Sequence, residues 1–305
     1  MTENPQQVTS ASGPGGAIYD IGYRRYSGPR LGRRFAVRSL FAHTVRGAFG
    51  IGRGGRAKVV PFGLLVILLI PALVSLGLGA LAGGVAERLD PIKYQSYYSI
   101  TQAILFLFIA AQAPELVGPD QRNRVLPLYF SRPILRSDYA FAKLMALFAA
   151  LMLFSLAPQA LLFFGRILQA PDITDGISKN IGSLVPILLS AITLSIFFAA
   201  IGLAISAFTP RRAYATATII GLFIATNAIV GILWELLKGD ARRLLALGSV
   251  DTILAGAAAF FFGERSENPI VRAANLPGWA YLLAVAVVAG GCIALLFRRY
   301  HVVET

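Results

Sequence analysis

Charge and cysteine are what this chain has least of. Only 14% of its 305 residues are charged, against roughly 25% in soluble domains. The single cysteine, Cys292, lies within a long apolar run. One thiol makes no disulfide framework and no cysteine-type metal site. The two histidines, His43 and His301, stand outside the apolar runs and in no HExxH pattern, and GxSxG and GxxxxGK[ST] are both absent. Neither a hydrolase elbow nor a phosphate-cradling loop is therefore expected in this chain. Carboxylates are also missing from the interior of every long apolar run, with Glu115 and Glu235 only at the borders. Proton-coupled carriers keep buried acids and ion pores keep charged rings, so neither class fits. Energy for uphill movement is expected to enter from outside the bilayer.

What is abundant is apolar surface: 56% hydrophobic residues and a mean hydropathy of +0.67. A soluble core of this size cannot hide that much. Six uncharged runs, each at least 21 residues long, predict spans at about 61–85, 94–114, 144–165, 182–208, 213–234 and 276–297. About 20 residues cross a hydrocarbon core, so the expected fold is an all-α integral membrane protein with six transmembrane helices, its membrane domain covering 59–297. A shorter run, 252–263 (TILAGAAAFFFG), is too short to cross. It reads as a re-entrant or an interfacial helix before the last span. The polar residues within spans, such as Gln102, Gln112, Gln159, Thr193 and Asn227, lack the acid–base partner an intramembrane enzyme needs.

Lys and Arg decide the orientation. With the N-terminus inside, the inner segments hold 19 basic and 6 acidic residues, the outer ones 9 of each. The whole net charge of +13 then lies on the cytoplasmic side, with both termini there. The expected location is the cell (inner or plasma) membrane. These cations flank spans, so anionic lipid headgroups are their expected partners, not nucleic acid.

The first 60 residues are polar, glycine-containing and basic, unlike a cleavable signal peptide, so the first apolar run is expected to remain as a span. Residues 1–16 (MTENPQQVTSASGPGG) have the composition of a disordered tail. Within 17–58, Val37, Leu40, Phe41, Thr44, Val45 and Ala48 recur at helical spacing, with Arg34, Arg38 and Arg46 on the opposite face. That pattern predicts an amphipathic helix in the membrane interface, either an elbow that transmits movement or a passive lipid anchor. Gly50, Gly52 and Gly55 after it match GxGxxG. With no βαβ context expected around them, they read as a turn into the first span rather than a dinucleotide site. Residues 298–305 form a short cytoplasmic tail.

The only sizeable inner loop after the first span is 115–143, ELVGPDQRNRVLPLYFSRPILRSDYAFAK. Asp120 is expected to cap a short helix starting near Gln121, and Ser137 or Asp138 to cap the third span. Leu126, Leu128, Tyr129 and Phe130 stand among Arg122, Arg124, Arg132 and Arg136, next to Pro133. Aromatic residues and arginine are enriched at interface hot spots, which suits docking. Topology-setting arginines with Leu and Tyr resting on headgroups would look the same.

This loop resembles the one between the second and third spans of permease subunits of the ABC-2 exporter family. Asp120, Leu126, Leu128, Ser131, Arg132, Pro133, Arg136, Asp138, Tyr139 and Lys143 carry the match. Family members often have an acidic residue just before the leucine run, where this chain has Arg122-Asn123-Arg124. The resemblance implies a dimer of permeases, each docked through residues 119–138 onto a separate ABC ATPase subunit, two copies in all. No cofactor or metal is implied in this chain; ATP and Mg would sit on the partner. A non-transporting membrane scaffold or assembly factor is the alternative. The substrate is not legible.

Overall fold

A hydrocarbon solvent leaves backbone amides no partner but each other, so charge-free runs of this length close into helices. The computed structural model describes residues 28, 31–82, 92–131 and 133–302. The chain divides into Met1–Leu31 and Gly32–Thr305; of the first unit only residues 28 and 31 are described. The expected tail 1–16, Arg132, residues 83–85 of the first span and residues 303–305 lie outside the described residues.

From Gly32 onward all regular structure among the described residues is helical. The order is α1 (Arg33–Ala48), α2 (Arg56–Ala82), α3 (Tyr94–Arg122), α4 (Leu126–Phe130), α5 (Arg136–Gln169), α6 (Ile173–Asn180), α7 (Leu184–Phe208), α8 (Arg212–Leu236), α9 (Asp240–Leu244), α10 (Val250–Phe262), α11 (Pro269–Ala274) and α12 (Gly278–Val302). Six stretches are long and apolar enough to span a membrane: α2, α3, α5, α6 with α7, α8 and α12. They match the six charge-free runs, with α3 and α5 extended at the ends that carry charge.

The middle of the bundle is α3, α5 and α7, the most enclosed spans; α2, α8 and α12 are peripheral. Phe108 and Phe154 meet at 4.4 Å between ring centroids, and Phe49, from the turn after α1, stacks on Phe154 at 6.0 Å. The outer faces of α2 and α8 expose Ile67, Ile70, Leu73, Ile224, Ile229 and Ile232. Continuous apolar faces of that kind are foreign to a water-facing surface and ordinary against acyl chains.

The α1 helix forms where the periodicity placed it. Leu40, Thr44 and Ala48 are buried, Val37, Phe41 and Val45 are half-buried, and Arg34, Arg38 and Arg46 face outward. Its apolar face packs mainly on α5. The glycine run that follows is a turn between two helices, with φ +67 at Gly50 and +89 at Gly52. The element that leads into it is the helix α1, where a dinucleotide fingerprint would follow a strand.

The run 252–263 lies in α10. With α9 it forms a pair bent by 88°, and Ile253, Leu254, Ala257 and Ala258 are buried where α10 packs on α12, α7 and α3. This inward packing corrects one sequence expectation. Gln102 does meet an acid: its Nε2 donates to Asp251 Oδ1 at 3.1 Å, and Asn268 Nδ2 donates to Oδ2 at 2.7 Å. Asp251 lies in none of the six long apolar runs, so no reading of those runs could pair it. Two amide donors hold the carboxylate in place.

Candidate functional site

Residues 119–138 form a hairpin between two spans. α3 runs past the end of its apolar stretch to Arg122. Arg124 then takes φ 51, in the left-handed region, and the chain reverses. The single turn α4 follows, with Pro127 near its start and Ser131 Oγ donating to Leu128 O at 2.9 Å. The third span begins at Arg136, where Asp138 accepts the Leu135 N–H at 3.0 Å. Asp138 thus helps to cap α5 from within its first turn, and Ser137 is not the N-cap.

Asp120 does not start a helix, contrary to expectation. It sits in the last turns of α3 and accepts from Tyr139 Oη at 2.7 Å and from Lys143 Nζ at 2.8 Å. Lys143 also donates to Leu116 O at 2.6 Å, and its side chain is 7% exposed. The α3 helix continues past residue 114 because its acids find cations. Glu115 pairs with Arg53 from the α1–α2 turn at 2.9 Å and with Arg212 at the start of α8 at 2.6 Å.

Around this pair the helix ends converge. The ring of buried Tyr139 meets Tyr300 of α12 at 5.0 Å, Tyr129 at 5.7 Å and Phe130 at 6.3 Å. Gln121 Nε2 donates to Ala207 O of α7 at 3.0 Å and to Tyr300 Oη at 3.3 Å. Arg136 donates to His301 O at 2.9 Å. Arg33 of α1 grips both oxygens of Asp138, at 2.6 and 2.7 Å. Those hydrogen bonds raise the Arg33 guanidinium above its ordinary value. The base of the hairpin is thereby tied to α1, α7 and α12, and through Glu115 on α3 to the α1–α2 turn and α8.

The ten residues expected to dock a partner divide into two groups. Arg122, Arg124, Leu128 and Pro133 are exposed, Leu128 at 67%; exposed Leu135 joins them. Leu126 is buried, Asp120 points inward, Arg136 is tied to α12, and Tyr129 and Phe130 pack on Tyr139. Arg132 is not described. Lys143, Glu115, Arg53, Arg212 and Arg33 were not among the expected site residues. Their signal was weak: isolated charges of opposite sign at the borders of apolar runs.

No group of three or more His, Cys, Asp or Glu side chains among the described residues could hold a metal ion. No curated protein matches the chain. The pattern that describes the ABC-2 family transporter proteins matches residues 55–227, from the start of α2 through most of α8. That stretch is more than half of the chain and contains the entire hairpin. With this match, and with six helices among the described residues long and apolar enough to cross a membrane, the chain belongs to the ABC-2 transporter family, as a multi-pass membrane permease.

Proposed function

We propose that the permease is the membrane subunit of an ATP-driven exporter, that it works as a dimer, and that each copy takes its thrust from a separate ATPase through residues 119–138. The observation that carries this reading is the division within the hairpin. An apolar and basic tip, Leu128 and Leu135 with Arg122 and Arg124, stands exposed above a base bonded into several helices. The exposed leucines leave apolar area for a partner, and the bonded base gives a push there a route into the bundle. Force applied to Leu128 would reach α3 and α5 through Asp120 and Lys143, and α12 through Arg136. Chemistry on ATP and Mg is assigned to the partner, and none to this chain.

In this reading the hairpin end is cytoplasmic, both termini are inside, and the site of action is the cell membrane. The α1 helix is an interfacial elbow, its exposed arginines among lipid headgroups, and Arg33–Asp138 links it to the hairpin. The bent α9–α10 pair is a re-entrant element, supported by the burial of α10 between spans. Leu128→Glu, and separately Arg122→Ala with Arg124→Ala, should each abolish co-purification with the ATPase while membrane insertion and chain yield stay normal. Unchanged co-purification in both variants would refute the docking assignment.

A further inference from the structure

At the end of the bundle opposite the hairpin, α10 stops at Gly263, with φ +65. The chain then turns through α11 into α12, reversing at Asn275 with φ 47. Asn268 Oδ1 caps α11, accepting from the Ile270 and Val271 amides at 3.0 and 3.3 Å. These turns wrap a cleft of about 650 Å³, within the size range of ligand sites. Its walls are close-fitted. A methyl group at Gly256 would strike the Tyr281 ring, and one at Gly278 the Phe260 ring.

The chemistry of its lining distinguishes the cleft from a gap between helices: Phe260, Val271 and Leu276 are apolar, while Arg265 and Arg272 are cationic. Glu264, the acid in the lining, is engaged by Lys93 at 3.6 Å. Arg272 reaches a backbone oxygen, that of Glu267, at 3.0 Å. Among the described residues Arg265 has no carboxylate partner. The cleft therefore carries unneutralised positive charge beside an apolar wall.

We propose that this cleft binds an anionic amphiphile. Its carboxylate or phosphate head sits on Arg265 and Arg272, and its chain lies along Phe260, Val271 and Leu276. The site shares no residue with the hairpin, so it is independent of how ATP drives the permease. The same head-and-chain chemistry is found in a bilayer phospholipid and in a fatty acid arriving from water.

Native mass spectrometry of the full chain in neutral detergent tests this, with phosphatidylglycerol, phosphatidylcholine and oleate as separate probes. One anionic adduct per chain should saturate, with phosphatidylcholine at least about tenfold weaker, since each surface arginine adds substantially to anionic binding. Retention of phosphatidylglycerol alone identifies a bilayer lipid as the occupant, and of oleate alone a solute; either supports the site. Arg265→Gln with Arg272→Gln should remove the preference, and Arg265→Lys with Arg272→Lys should keep it. Equal retention of anionic and zwitterionic probes, or a preference untouched by the double glutamine variant, overturns the proposal.

Discussion

Lys143 Nζ lies 2.8 Å from Asp120 Oδ2, joining the third span to the last turns of the second with both side chains largely sealed from solvent. A buried pair contributes little net stability when intact, but removing one partner strands the other. Lys143→Ala should therefore destabilise the permease by about 3–5 kcal/mol. Asp120→Asn with Lys143→Met, which removes both charges, should recover most of the loss. Thermal unfolding of the detergent-solubilised chain measures both. If the single and double variants melt together, the pair does not hold the hairpin.

The glycine turn after α1 gives a graded series. Gly50 has φ +67, and a methyl group there would strike the backbone carbonyl of Ala57. Gly52 has φ +89 but faces open space, and Gly55 has open space without a positive φ. Gly52→Ala should cost about 1–2 kcal/mol for the left-handed backbone alone. Gly50→Ala should cost more, since strain and clash add, and Gly55→Ala should be close to neutral. Melting temperatures in that order would confirm the turn. Equal losses at all three would mean that neither the positive φ nor the clash at Gly50 sets the cost.

These glycines also mark how far the sequence could be read. The six spans were legible because hydrocarbon excludes charge, and a charge-free run of 21 residues rarely has another cause. The face of α1 was legible because burial follows a 3.6-residue period. The end of α3 was not. Whether the helix stops at residue 114 or continues to Arg122 depends on Glu115 meeting Arg53 and Arg212, and Asp120 meeting Lys143. Those partners are distant in the chain, and no local propensity encodes them. Nor was Asp251 legible as a partner of Gln102, because a 12-residue apolar run does not reveal that it packs between spans. Within the hairpin, composition identified the segment but could not separate exposed Leu128 from buried Leu126, two residues away.

Asp172 carries a pH prediction. It caps α6, accepting from Thr174 Oγ1 at 2.9 Å and from the Thr174 amide at 3.3 Å. These bonds, the side-chain one foremost, hold its carboxyl below the usual aspartate range. A depressed folded-state value means that the cap is fully present above the ordinary value of about 3.9. Its contribution is lost as pH falls through the lower folded value. A ¹³C-carboxyl titration should find the Asp172 midpoint below that of an unstructured aspartate, and Thr174→Val should move it back up. A midpoint at or above the ordinary value would mean that the cap does not form in solution.

Docking and transmission can be separated at Glu115. It lies away from the exposed tip and joins two cations, Arg53 of the α1–α2 turn and Arg212 at the start of α8. Both arginines are more than one third exposed, so solvent screens the pairs and each adds on the order of 1 kcal/mol or less. Glu115→Gln should thus lower the melting temperature only slightly. If the hairpin drives the bundle, its larger effect should be functional: the ATPase still co-purifies and hydrolyses ATP, while export falls because α3 no longer pulls on α8 and the α1–α2 turn. Reversing the charges, with Glu115→Arg and Arg212→Glu together, should restore part of the export lost in Glu115→Arg alone. Loss of the ATPase from Glu115→Gln would instead make this residue part of the docking surface. Undiminished export would remove the α3–α8 link from the path of force.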